Sequence, residues 1–263
     1  MKPNQLRALL AGGHTAYGTM IQEVRNPSIS QIMAHAGCDF LFFDAEHGPF
    51  TFETVADMVR VARLSGITPL VRVPDAQYHL IARFLDLGAQ GIMIPRVETR
   101  AQVEYIVQSA LYPPLGQRGC SVNKGHNDFQ SENEWLFTES ANRENLIILQ
   151  IERAQAVKEI DDLLSVPGVG AALIGPNDMA LSLGVRAADQ LAALEAPIQR
   201  VLDACQARGL PCGIHVANLE WLARWQQRGM QLICYSSDLN FLSNGAATGI
   251  RWLRDQAGTA PRS

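Results

Sequence analysis

The chain has 263 residues, 47% of them hydrophobic and 18% charged, with a formal net charge of only −4. Such a composition can bury a large core and is not that of a disordered chain; without a basic block it offers a phosphate backbone little to bind, which argues against a nucleic-acid partner. No apolar run approaches the ~20 residues of a membrane span, residues 1–12 lack a signal core with a cleavage site, and the five scattered cysteines form no Cys-x-x-Cys pair, so a soluble cytoplasmic protein without membrane contact, disulfide framework or thiolate zinc site is expected.

From the N-terminus onward one pattern repeats: a short apolar run, a turn, then a longer segment with helical spacing, as expected of βα units on a parallel sheet. Strands are predicted at 15–21, 40–44, 69–73, 91–95, 146–151, 171–174, 211–216 and 231–235. Helices are predicted at 52–64, where Val55, Met58, Val59 and Ala62 recur at three- and four-residue steps, then at 78–87, 100–111, 154–164, 219–228 and 241–254. Gly66, Gly88 and Gly229 close three of them. Eight such runs in a chain near the roughly 250 residues typical of the architecture predict one α/β domain, a (β/α)8 TIM barrel spanning 1–263. The rival fold, a doubly wound open sheet, lacks a Gly-x-Gly-x-x-Gly after any strand and a Walker-type lysine. Residues 112–145, with Pro113, Pro114, Gly116, Gly119 and Gly125, break the rhythm and are expected to form an ordered irregular loop across the barrel mouth. Near the C-terminus Phe241, Leu242, Ile250, Trp252 and Leu253 seek cover, from another subunit or from the same barrel.

Barrel enzymes carry their chemistry at the C-terminal strand ends. There the sequence places Asp44, Glu46 and His47, then Arg72, then Gln150 and Glu152, then Gly175, Pro176, Asn177 and Asp178. Glu152 and Asp178, on neighbouring strand ends, would repel each other unless something positive intervenes. A hard divalent cation such as Mg2+ or Mn2+ resolves this, as does a salt bridge to Arg72 or a helix-capping role for Asp178. Arg72, inside an otherwise apolar strand, can stabilise a carboxylate or a forming enolate, or neutralise a core acid. The turn at Gly175 opens a helix whose Asn177 and Asp178 amides suit a substrate carboxylate. His47 is the candidate proton carrier, oriented by Asp44 or another acid, while His215 reads as structural or as a support behind the residues of the site. The only lysines are Lys2, Lys124 and Lys158, none of them on a strand end, so a Schiff base has no nucleophile.

At these residues the sequence resembles the metal-dependent pyruvate aldolases, the group that includes 4-hydroxy-2-oxoheptanedioate, 2-dehydro-3-deoxyglucarate and 2-keto-3-deoxy-L-rhamnonate aldolases. The resemblance rests on six collinear stretches: Phe-Phe-Asp-Ala-Glu-His-Gly-Pro (42–49), Pro-Leu-Val-Arg-Val-Pro (69–74), Leu-Asp-Leu-Gly-Ala-Gln-Gly-Ile-Met-Ile-Pro (85–95), Tyr-Pro-Pro-Leu-Gly-Gln-Arg-Gly (112–119), Gln-Ile-Glu (150–152) and Gly-Pro-Asn-Asp-Met-Ala (175–180). It implies Glu152 and Asp178 as ligands of Mg2+, Mn2+ or Co2+, Arg72 as the enolate-stabilising arginine, His47 as acid/base, and Gln150 as a lining residue. It further implies Asp86 as an acid coupled to that histidine, Asp44 as another acid of the site, and a homohexamer packed through its last helices. The implied reaction is cleavage of a 4-hydroxy-2-oxo acid to pyruvate and an aldehyde. A related reaction on the same site (oxaloacetate decarboxylation or lysis of a coenzyme A ester) and a non-catalytic binding barrel are the alternatives. The first strand, Tyr-Gly-Thr-Met-Ile-Gln (17–22), and the loop after Gly119 depart from many relatives, which leaves the aldehyde open.

Overall fold

A computed structural model describes residues 2–186 and 190–258. Eight parallel strands close into a single barrel in chain order: β1 Ala16–Ile21, β2 Phe40–Asp44, β3 Thr68–Arg72, β4 Gly91–Ile94, β5 Leu146–Ile151, β6 Ala171–Ile174, β7 Cys212–Val216 and β8 Leu232–Ser237. The helices are α1 Gln5–Ala11, α2 Ser28–His35, α3 Phe52–Leu64, α4 Tyr78–Asp86, α5 Arg100–Ala110, α6 Glu134–Glu144, α7 Ala154–Lys158, α8 Ile160–Leu164, α9 Pro176–Ser182, α10 Gln190–Ala193, α11 Glu195–Gln206, α12 Leu219–Gln227 and α13 Asp238–Ala257. The expected (β/α)8 barrel is therefore the fold. Among the described residues no helix is long and apolar enough to cross a membrane.

The two-residue period of a strand sorts its side chains between the barrel interior and the helix layer. Phe40, Phe42, Leu70, Met93, Leu146, Ile148, Ala171 and Leu173 fill the interior, whereas Leu41, Phe43, Val71, Ile147, Leu149 and Ile151 pack against the helices. Continuing the inward series by one step puts Asp44, Arg72, Gln150 and Gly175, and by a second step Glu152, at the top of the same interior. Register completes the placement, since Asp44 stands opposite Arg72 across β2 and β3. At the other end α1 forms a floor: Leu6 and Leu10 join the interior cluster, and Asn4 caps the helix while donating to the Gln90 and Glu144 carbonyls at 2.8 and 2.9 Å.

Two expectations need correction. The 112–145 segment is not an irregular loop across the mouth. It includes a 3-10 turn at Gly125–Asn127 and α6, and it lies along the outside of α4, with the Gly119 N–H donating to Tyr78 Oη at 3.0 Å and Arg118 to Asp86 at 2.6 Å. The topology favours this, because the segment joins the end of α5 to the start of β5 and both lie at the end of the barrel opposite the strand C-termini. The helix expected at 154–164 is instead two short ones, α7 and α8, meeting at Glu159.

Candidate active site

The first half of the site is built around Asp44, which is fully buried. Its carboxylate accepts from Arg72 Nε at 2.8 Å and from Arg72 Nη2 at 2.5 Å, a two-point pairing that fixes the guanidinium plane. It also accepts the backbone amides of Glu46 and His47 at 3.1 and 3.2 Å, which folds the turn after β2. Gly48 completes that turn because a Cβ there would collide with the Asp44 carbonyl oxygen. Arg72 Nη1 is left facing Glu46 Oε2 at 3.4 Å, and the same oxygen lies 3.9 Å from His47 Nε2. The His47 side chain is 64% exposed, so it meets solvent and any substrate at the mouth.

The second half centres on Glu152, 3% exposed at the end of β5. One oxygen accepts the Arg96 N–H at 2.8 Å, and the other accepts the Gln150 side-chain amide. Burial pushes the Glu152 carboxyl above the usual range; the Arg96 amide opposes this, the charge of Asp178 adds to it, and Arg72 and Gln150 oppose it further. A buried acid made costlier by a second acid is a place that a cation would stabilise. Three features fit a small hard ion. Gly175 lies so close that a Cβ would come within 2.8 Å of Glu152 Oε2 and 2.9 Å of Gln150 Nε2, so glycine keeps the space open. The Gln150 Oε1 atom is buried without a hydrogen-bond partner. The donor set is all oxygen, which suits Mg2+ or Mn2+. Among the described residues no group of three or more His, Cys, Asp and Glu side chains gathers, so two carboxylates would leave most of an octahedral shell to water and substrate oxygens.

Asp44, His47, Arg72, Gln150, Glu152 and Gly175 thus meet at the strand ends, with Pro176, Asn177 and Asp178 opening α9 beside them. Asp86 does not join them within one chain. It ends α4, one helix length of about 13 Å below the mouth, where Arg118 pairs with it at 2.6 Å and His126 Nδ1 lies 3.5 Å away. Burial alone would raise its carboxyl, but His126 and the Arg118 guanidinium hold it below the ordinary range. His215 Nε2 meets the Ser236 carbonyl oxygen at 2.9 Å, and burial pushes its pKa down. Two residues gained no role from the sequence. Glu46 bridges Arg72 and His47, and Arg96 reaches both Glu46 and Glu152. The available signal for Arg96 was a charge directly after the apolar β4 run. Its φ of 56°, which costs of order 1 kcal/mol outside glycine, has no counterpart in the sequence.

The model of the HpcH/HpaI aldolase/citrate lyase family matches residues 20–244. An Escherichia coli 5-keto-4-deoxy-D-glucarate aldolase is 32% identical over 237 residues, covering 90% of this chain and 91% of that protein. A crystal structure of an HpcH/HpaI aldolase from Desulfitobacterium hafniense is 33% identical, with a TM-score of 0.93 over 97% of this chain and 99% of that one. A Burkholderia cenocepacia HpcH/HpaI aldolase/citrate lyase family protein is 29% identical, with a TM-score of 0.88 and coverage of 95% and 99%.

Proposed function

The chain belongs to the HpcH/HpaI aldolase/citrate lyase family and is an enzyme of aldol cleavage, a carbon–carbon lyase; within that family we propose that it splits a 4-hydroxy-2-oxo acid into pyruvate and an aldehyde, with a divalent cation held by Glu152 and Asp178. The observation that carries this reading is the buried Glu152 carboxylate, pressed by Asp178 and open on the Gly175 side, within the same mouth as the Asp44-locked Arg72. A bound divalent cation supplies Lewis-acid polarisation of the keto oxygen.

The remaining work belongs to side chains. Asp44 occupies Nε and Nη2 of Arg72, which leaves Nη1, with one hydrogen toward Glu46, to donate its other hydrogen to the oxygen that gains charge as the enolate forms. His47 takes the proton of the C4 hydroxyl, the C4–O pair becomes a carbonyl, and the C3–C4 bond breaks toward C3 and the keto oxygen. Returning a proton to C3 completes pyruvate. Gln150 holds Glu152 in place, and the amides at the start of α9 face the substrate carboxylate. Asp86 can couple to His47 only when it comes from a second copy of the chain, because its own α4 carries it away from the mouth; the reading therefore includes a homo-oligomer, a hexamer by resemblance.

The test is a coupled assay for pyruvate release over a panel of 4-hydroxy-2-oxo acids that includes the sugar acid for which the Escherichia coli relative is named, with oxaloacetate as comparison. Pyruvate formed with an equimolar aldehyde supports the reading. Release from oxaloacetate alone, with no aldehyde from any member, overturns it.

A further inference from the structure

Arg96 lies two residues past the end of β4 and holds a φ of 56°. A residue with a side chain stays in the left-handed region only where its surroundings over-determine it. Here they do so from two sides. Its backbone N–H donates to Glu152 Oε1 at 2.8 Å. Its guanidinium donates through Nη2 to the Pro74 carbonyl oxygen at 2.6 Å and through Nη1 pairs with Glu46. Glu46 is nearly buried and faces Arg72 Nη1 and His47 Nε2 with its other oxygen. One backbone unit therefore touches the acid of the cation pair, while its side chain touches the acid lying between the enolate-stabilising arginine and the proton carrier.

We propose that Arg96 is a positioning residue for aldol cleavage, locking Glu46 between Arg72 and His47 while its amide fixes Glu152. This rests on the reading of Glu152 and His47 given above. With both guanidiniums in place, the Glu46 charge is matched twice. Glu46 lies beside the His47 ring, and Arg72 and Arg96 hold it from the other side. Removing the Arg96 side chain leaves Glu46 under-compensated. Its carboxylate is then free to turn away from His47 and to draw Arg72 from Asp44, which misplaces the proton carrier and the enolate-facing guanidinium together.

The experiment uses Arg96→Gly, which keeps the amide and tolerates the backbone conformation, beside Arg96→Ala and Arg96→Lys. Turnover is followed against substrate concentration, and Mn2+ binding is titrated calorimetrically without substrate. In Arg96→Gly, kcat should fall by about 10- to 100-fold with KM changed far less. Mn2+ should bind within a few-fold of wild type, and Arg96→Lys should recover part of the loss. Wild-type kcat in Arg96→Gly and Arg96→Ala overturns the proposal, as does a loss confined to Mn2+ affinity. Should Arg96→Gly fail to fold, Arg96→Ala and Arg96→Lys carry the same test of kcat against KM. His47→Asn separates the two levels: if it is inactive while Arg96→Gly is normal, only the Arg96 role falls, and if it turns over like wild type, the reading of the site falls and the Arg96 role with it.

Discussion

Asp44 and Arg72 show what a charge inside a barrel requires. Each ion loses several kcal/mol of hydration on burial, and only close, multiply bonded pairing offsets that. The two-point contact at 2.8 and 2.5 Å meets the requirement. Arg72→Ala would strand a fully buried carboxylate and cost about 3–5 kcal/mol of stability, confusing fold with function. Arg72→Lys is the cleaner variant, since it keeps the charge and loses the planar fork. Its kcat/KM should fall by about 10²–10³-fold while thermal unfolding shows a folded protein; a folded Lys variant at wild-type rate would remove Arg72 from the reaction. An arginine inside Leu-Val-Arg-Val-Pro was legible as inward-facing from the period of two. Its partner was not, because the register between β2 and β3 that sets Asp44 opposite Arg72 is a property of the closed sheet and not of either segment.

At the scale of elements, β7 and β8 meet through His215, whose ring nitrogen donates to the carbonyl of Ser236, a residue at φ 55° in an irregular stretch of β8. Burial lowers the pKa of this imidazole below its ordinary value of 6.5. The unfolded chain therefore binds more protons here than the folded one below about pH 6.5, and stability must drop as pH falls through that window. Urea midpoints measured between pH 7.5 and 5 should show this slope, and His215→Gln, which keeps a donor, should flatten it; an equal slope in both proteins would place the acid sensitivity elsewhere. Strands with unbroken apolar runs were legible in sequence to within a residue or two. Missed were α2, α10 and α11, α1, whose Leu6 and Leu10 look unremarkable until a barrel floor exists to receive them, and α6, whose buried face amounts to Phe137, Thr138 and Ala141 while Trp135 and Leu136 stay exposed. A stripe that narrow gives little periodic signal.

At the scale of the molecule, α13 is unusual for an outer helix because Asp238 is its one buried residue among those described. That carboxylate accepts the amides of Gln22, Glu23 and Val24 at 2.8, 3.0 and 2.7 Å, tying the base of the helix to the loop after β1. Leu239, Leu242, Ile250, Trp252 and Leu253 remain exposed along its length. A fixed helix with an uncovered apolar surface is one that another copy would cover under the proposed assembly, which the proposed role of Asp86 also needs. Light scattering should give a mass several times that of one chain, and Leu242→Glu with Trp252→Glu should lower it; a monomer from the outset would contradict the assembly. Sequence periodicity made the apolar surplus legible here, but which surface covers it depends on geometry between chains.

The proposed chemistry turns on a cation held between Glu152 and Asp178. The direct measurement strips the protein with a chelator and follows pyruvate release from a cleavable 4-hydroxy-2-oxo acid before and after Mg2+, Mn2+ or Co2+ is restored, in wild type and in Asp178→Asn. Activity should vanish on stripping, return with metal in the wild type and fail to return in the variant; full cleavage by the metal-free protein would contradict the account.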